Sequence, residues 1–244
     1  FEGDAQRDLA AAQHAKYARI ARVLRLQRDQ PVIEIGCGWG GFAEVAARQN
    51  GAFVHGVTLS PAQLAWARER AQRGGFADRA SFELCDYRDL RGQVSRIVSI
   101  EMLEAVGERW WPTYFAKLNG LLTVGGEAVV QTISIADDLF PRYRKGTDFI
   151  QQYVFPGGML PSPSVFVDRA QRAGLQLRDD YRFGIDYAIT LARWRETFEQ
   201  HTDALRALGF DTRFQRLWRF YLAYCEAGFR AGSIDVHQFH LVKP

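Results

Sequence analysis

The sequence is poor in the features that would place it outside the ordinary globular enzymes. Only three of its 244 residues are cysteine (Cys37, Cys85 and Cys225), and no two of them form a CxxC pair. Neither a disulfide framework nor a zinc site is therefore indicated. The five histidines, His14, His55, His201, His237 and His240, lack the spacing of a metal site, and no metal is expected. No apolar run approaches the roughly 18 to 20 residues of a membrane span, and no charged-then-apolar leader opens the chain, so a soluble, cytoplasmic protein is expected. The chain opens at Phe1-Glu2 without an initiator methionine, which leads us to expect an upstream segment. Internal repeats and low-complexity tracts are also missing.

What is present suits one α/β core with a cap: 47% of residues are hydrophobic and 24% charged. The net charge of +3 is unevenly placed, with 16 basic against 17 acidic residues through position 138 and 15 against 11 from 139 onward. The later surplus suits an anionic membrane surface, and scattered arginines on solvated helices explain it equally well. Nucleic acid is not expected as a partner.

Residues 5–27 carry Leu9, Ala12, Tyr17, Ile20, Val23 and Leu24 at mostly three- and four-residue spacing, the pattern of an amphipathic helix lying on a sheet. Apolar runs then alternate with helical ones. Strands are expected at 32–35, 53–58, 82–84, 97–100 and 127–133, the last after a Gly125-Gly126 turn, with helices at 42–48, 61–73 and 111–122 between them. Ser60 as N-cap with Pro61 behind it marks one helix start. Residues 136–165, rich in proline, glycine and aromatics, break the rhythm as an inserted lid or cap. A helix near 164–173, a strand near 175–182, a long helical region at 188–228 and a strand at 236–242 complete the chain. The alternation predicts an α/β, Rossmann-like single domain over 1–244: an N-terminal helix (1–30), a cofactor-binding half (31–135), the lid (136–165) and acceptor-side helices and final strands (166–244).

The first strand runs straight into Gly36, Gly38, Gly40 and Gly41. Such a turn brings bare backbone and a helix N-terminus against a ligand. Gly36, Gly38 and Gly41 alone also satisfy the GxGxxG spacing of dinucleotide sites. Three features favour S-adenosylmethionine instead. Glu34 precedes the glycines in an order that resembles motif I of class I methyltransferases. The second strand ends in Val57-Thr58-Leu59-Ser60, with no carboxylate for a dinucleotide ribose. Asp86, followed by Tyr87, ends the third strand where an acid can accept the adenine amino hydrogens and an aromatic can cover the ring; an ordinary strand-end cap is the plainer account of Asp86.

The motifs IGCGWGGFA (35–43), GVTLSPAQ (56–63), DYRDL (86–90), EMLEAVG (101–107), YVFPGGMLPS (153–162), FGIDYAITL (183–191) and RFYLAYCEAGFRAG (219–232) extend this reading over the chain from about residue 10. Taken together they resemble the cyclopropane-fatty-acyl-phospholipid synthase family, which includes the mycolic acid cyclopropane synthases and methylene-fatty-acid-forming relatives. The resemblance implies a class I methyltransferase fold with a mostly parallel seven-stranded sheet, helices on both faces and a lid. It also implies methyl transfer to a cis double bond of a phospholipid acyl chain, through a carbocation that aromatic faces stabilise and a bound bicarbonate deprotonates.

Carried over by motif, the bicarbonate-holding positions are Glu104, Gln131, the backbone at Ile133 and Tyr187. Thr58, Ser60 and Gln63 join Glu34, the glycines, Asp86 and Tyr87 as cofactor contacts. Tyr153, Phe155 and Phe183 are candidates for the acyl pocket, although aromatics near a lid are as often simple packing.

Two positions depart from the family's pattern. Gln131 stands where most members have histidine, and Glu101 where they have glycine. A glutamine cannot become cationic and would hold an anion less strongly. Glu101 adds a carboxylate that would compete with bicarbonate. These departures point to an altered proton acceptor, with Glu101 or Glu104 taking part, and a methylene-branched product; neutral drift within ordinary cyclopropane synthesis is the competing account. A methylene product would call for a reductase partner. A homodimer and a peripheral location at the inner membrane surface are the other expectations. A small-molecule N- or C-methyltransferase and a non-catalytic lipid- or cofactor-binding relative are the alternative functions.

Overall fold

The near-continuous apolar runs of the first half bury both faces of their strands, as a parallel sheet covered by helices requires. The computed structural model describes residues 1, 4 and 6–244. Its strands are β1 (Pro31–Ile35), β2 (Phe53–Thr58), β3 (Ala80–Leu84), β4 (Val94–Ile100), β5 (Leu122–Ile135), β6 (Gln176–Arg182) and β7 (Ile234–Val242). They form one sheet in the order β3-β2-β1-β4-β5-β7-β6. The first five pair in parallel, and β7 runs antiparallel between β5 and β6. The strand order reverses beside β1, so a crevice opens at the carboxyl ends of β1 and β4, the usual ligand site of such sheets.

The helices are α1 (Leu9–Val23), α2 (Gly41–Asn50), α3 (Pro61–Arg73), α4 (Leu103–Val106), α5 (Trp111–Leu121), α6 (Phe140–Tyr143), α7 (Phe149–Tyr153), α8 (Pro163–Arg172), α9 (Gly184–Gln200), α10 (Thr202–Ala207) and α11 (Thr212–Arg230). Period-two alternation divides the sheet between two cores. Val32, Val98 and Val129 pack with α1, α2 and α3, whereas Ile33, Ile97, Val130 and Phe239 pack with α5 and α8. Phe166 of α8 stacks on Phe239, with ring centroids 3.9 Å apart. A third, smaller cluster joins α9 and α11 to Val236 of β7.

Several boundaries differ from the sequence expectation for local reasons. The first helix starts only at Leu9, where the Asp8 carboxylate accepts from the Ala11 amide and caps it. The helical region expected at 188–228 begins earlier and breaks into three, once at His201, which leaves the helical conformation between α9 and α10, and once where Gly209 takes a positive φ and Asp211 caps α11. Gly125-Gly126 is an irregularity inside β5, which begins at Leu122 and slips register opposite Val94 and Arg96. The insertion ends where Ser162 caps α8, and it is tied to the α4 turn by the Met159 amide donating to the Glu104 carbonyl at 2.9 Å.

The glycine turn after β1 rests on Gly56 in the neighbouring strand. A Cβ there would lie 2.7 Å from the Cys37 Cβ and 2.9 Å from the Phe82 ring. Gly56→Ala should therefore push the turn off the sheet and cost about 1–3 kcal/mol, the usual penalty of overpacking, read as a lower urea midpoint at unchanged slope.

Candidate active site

At Ile35 the chain leaves β1 through Gly36 (φ +79°), Gly38 (φ +51°) and Gly40 (φ +79°), conformations that an L side chain rarely adopts. A Cβ on Gly36 would meet the Met102 side chain at 3.0 Å, while one on Gly38 would meet nothing within 4 Å. The turn thus has one packed side and one bare side. Gly40 is the N-cap of α2 and has no side chain to occupy the first amides of that helix. Glu34 is buried beneath the turn, its Oε2 has no partner, and burial pushes its carboxyl well above the ordinary range.

At the end of β2 the Thr58 hydroxyl donates to Gln63 Oε1 (2.9 Å) and accepts from the Ser60 amide, and the Ser60 hydroxyl caps α3 by accepting from Gln63 N. Asp86 accepts from the Arg88 amide and guanidinium, which hold its carboxyl below the usual range. It therefore does act as a cap, with Arg88 as its present partner. Tyr87 packs edge-on to Tyr114. Trp39 and Trp66, both exposed, meet edge to face above this rim. A bare glycine turn, an unpartnered buried carboxylate oxygen and flanking hydroxyl and aromatic groups fit a nucleoside ligand carrying an amino acid, as S-adenosylmethionine does.

The second group lies one step along the sheet. β4 ends at Ile100, opposite Gln131 of β5, and Glu101 follows with φ +53°. A non-glycine residue there costs on the order of 1 kcal/mol, and the strained turn is held by the Glu101 amide donating to the Gln131 carbonyl at 2.8 Å. Gln131 Nε2 donates to Glu101 Oε1 (2.7 Å) and to the Tyr187 hydroxyl oxygen (2.8 Å). The Tyr187 hydroxyl donates to the same Glu101 oxygen in a short contact. Three residues on, Glu104 Oε1 accepts from the Ile133 amide at 2.6 Å, and its buried Oε2 has no partner. Burial and then the negative charge of Glu101 push the Glu104 carboxyl up to about 7, against the lowering effect of the Ile133 amide.

The structure thus brings Glu101, Glu104, Gln131, Ile133 and Tyr187 together, but not as an empty anion cradle. Gln131 and Tyr187 are engaged by the Glu101 carboxylate and the Ile133 amide by Glu104, so the donors expected to hold bicarbonate are already taken. Bicarbonate does not fit this arrangement, because a second anion would displace or repel the first.

The three expected pocket aromatics separate. Tyr153 and Phe155, each 55% exposed, stand in the insertion; Phe155 meets Tyr221, and Tyr153 adjoins Phe149, which packs on Phe220 and Tyr224 of α11. Phe183 instead packs against the Tyr187 and Tyr181 rings, lining a cavity between α1 and α9.

The sequence reading missed four residues at the site. Lys16 of α1 reaches the Tyr187 hydroxyl at 3.5 Å, and burial lowers its ammonium pKa against the pull of Glu101. Tyr17 lies against Gly41, with burial, Glu34 and Glu101 raising its hydroxyl to about 12. Gln238 of β7 and Arg19 of α1 complete the network. The available signal was Gln238, a polar residue at an inward strand position between Val236 and His240.

Among the described residues no group of three or more His, Cys, Asp or Glu side chains could hold a metal ion, and no helix is long and apolar enough to cross a membrane.

Comparison with known proteins agrees with this geometry. Residues 1–239 match the family model described as mycolic acid cyclopropane synthetase. Tuberculostearic acid methyltransferase UfaA1 of Mycobacterium tuberculosis is 45% identical over 97% of this chain and 55% of its own length. Cyclopropane-fatty-acyl-phospholipid synthase of Escherichia coli is 36% identical over 95% of this chain and 58% of its own length. The chain therefore spans little more than half the length of these relatives. Mycolic acid cyclopropane synthase CmaA1, solved with SAH and CTAB, superposes with a TM-score of 0.90 at 28% identity, covering 99% of this chain and 87% of that one. The cyclopropane synthase MmaA2 of Mycobacterium tuberculosis gives 0.88 at 28% identity over 97% and 86%. With the class I methyltransferase fold and these relatives in hand, the chain belongs to the mycolic acid cyclopropane synthetase family.

Proposed function

We propose that this chain is the catalytic part of an S-adenosylmethionine-dependent C-methyltransferase that acts on a cis double bond in a phospholipid acyl chain at the membrane surface and yields a methylene-branched product. Glu34, Gly36, Gly38, Gly40, Thr58, Ser60, Gln63, Asp86 and Tyr87 hold the cofactor, with Asp86 exchanging its Arg88 contact for the ligand. When bound, S-adenosylmethionine supplies an electrophilic methyl group. The alkene needs no base to attack it, so the protein's task begins after transfer, with a cation in the acyl chain.

Aromatic faces such as Tyr153 and Phe155 stabilise that charge. A 1,2-hydride shift moves the charge to the carbon bearing the new methyl. One C–H bond of that methyl then breaks, its electron pair forms the C=CH2 double bond of the branch, and the proton passes to Glu101. The observation that carries this reading is the convergence of Gln131 Nε2 and the Tyr187 hydroxyl on the Glu101 carboxylate. Glu104, raised to about 7 by its burial and then by its charged neighbour, has one backbone amide as donor, whereas Glu101 has two side-chain donors directed at one oxygen. The 45% identical relative is itself named a methyltransferase. A methylene product would pass to a reductase.

The product is the direct test. Lipids from a host expressing the full-length protein should give the mass and vinylidene NMR signals of a methylene branch, and a cyclopropane as the sole product would overturn the reading. In a labelled-cofactor assay on phospholipid vesicles, label should enter the lipid fraction; its absence while cofactor binds would point to small-molecule acceptors. Glu101→Gln should lower kcat on the order of 10²-fold, the lower range for a positioned general base, with cofactor affinity unchanged.

The Glu104 carboxyl also links stability to pH. Its folded pKa of about 7 lies above that of an unfolded glutamate, so its contribution is fully present below the ordinary carboxylate range and is lost as pH rises to about 7. Unfolding free energy should fall over that window by on the order of 3 kcal/mol from this group, and Glu104→Gln should remove that part of the slope in urea titrations at successive pH values.

A further inference from the structure

Gln131 and Gln238 are 0% and 1% exposed, and neither belongs to an apolar core. They stand directly opposite each other in the antiparallel β5–β7 pair, in a register row that runs from Ile100 through Gln131 and Gln238 to Tyr181. Directly opposed side chains share one sheet face and can bond. Gln238 Nε2 donates to Gln131 Oε1 at 3.0 Å and to the Lys16 carbonyl at 3.3 Å. Gln238 Oε1 in turn accepts from Arg19 Nη1 at 2.8 Å. Arg19 is fixed by Asp179, 2.9 Å from its Nη2, and by the Tyr181 ring, 3.8 Å from its guanidinium carbon.

An amide can present either its oxygen or its nitrogen, and the two rotamers occupy nearly the same space. Here the choice is made at the far end of the row. A guanidinium only donates, so Gln238 must turn its oxygen toward Arg19 and its nitrogen toward Gln131. Gln131 must then turn its oxygen to Gln238 and its nitrogen to Glu101. We propose that Arg19 and Gln238 are positioning residues, which fix the polarity of the Gln131 amide so that its NH2 group is always presented to the acceptor carboxylate. The flipped amide would set a carbonyl against Glu101 and withdraw a donor from the ionised form. The row thus does for a neutral residue what a cation would do by its charge alone. This inference rests on the proposed role of Glu101.

Gln238→Glu provides the sharpest test. It keeps the shape and the Arg19 contact but has no N–H for Gln131, so it reverses the polarity of the link without emptying the space. In the full-length enzyme, kcat on phospholipid vesicles should fall about tenfold, the equivalent of one buried hydrogen bond, with the cofactor Kd unchanged. Gln131→Met should slow the enzyme at least as much, and Gln131→Met with Gln238→Glu should be no slower than Gln131→Met alone, because Gln238 acts only through Gln131. Wild-type turnover in Gln238→Glu, or losses that multiply in the double variant, would overturn the proposal. Arg19→Met, less buried, carries the same cycle if Gln238→Glu does not fold. Full turnover in both Glu101→Gln and Gln131→Met would instead overturn the reading of Glu101 on which the row depends.

Discussion

Two glutamates three residues apart, just past the carboxyl end of β4, cannot both be charged at little cost. The rest of the site is arranged around that constraint. Glu101 collects the donors: the amide of Gln131 and the hydroxyl of Tyr187, with the buried ammonium of Lys16 behind the tyrosine. Glu104 has one backbone amide and a buried oxygen without a partner, and its burial pushes the carboxyl up to about 7. The two carboxyls thus differ in their surroundings: Glu101 faces two side-chain donors, and Glu104 is buried with one backbone amide.

The sheet supplies the frame for this separation. The Glu101 group sits where β4, β5 and β7 present successive residues in one row, and α1 lies against that row with Lys16, Tyr17 and Arg19. The glycine turn sits beside it at the end of β1, so the cofactor turn and the Glu101–Glu104 turn just past β4 share one end of the sheet. The insertion is tied to the same turn through the Met159 amide and the Glu104 carbonyl. Its exposed aromatics stand with those of α11.

Most of the fold was legible in the sequence because it rests on local signals: continuous apolar strands, Ser60-Pro61 at a helix start and glycines at the strand-to-turn junction. The clustering of Glu101, Glu104, Gln131 and Tyr187 was legible only through the resemblance to a family, since these residues span 87 positions and no spacing rule joins them. Less legible were features set by long-range geometry. The breaks of the last helical region depend on the backbone at His201 and Gly209, and the division of Tyr153 and Phe155 from Phe183 depends on which side of α9 each one reaches. Arg19 and Gln238 gave no signal as a pair because they lie 219 residues apart and meet only once β7 inserts between β5 and β6. The expected bicarbonate is the clearest case. The residues named together do meet, and Glu101 was expected to compete with the anion, but the sequence did not reveal that Gln131 and Tyr187 both donate to its carboxylate.

In the proposed reaction, that turn makes the acceptor part of the chain. The positive φ at Glu101 is a local cost, tolerated because the backbone bond to Gln131 and the two side-chain donors hold the carboxylate in place. The measurement that bears on this most directly is the turnover of the full-length enzyme in rigorously bicarbonate-free buffer, with bicarbonate then titrated in. A built-in carboxylate acceptor predicts the same rate throughout; a rate that collapses without bicarbonate and recovers as it is added would contradict the account.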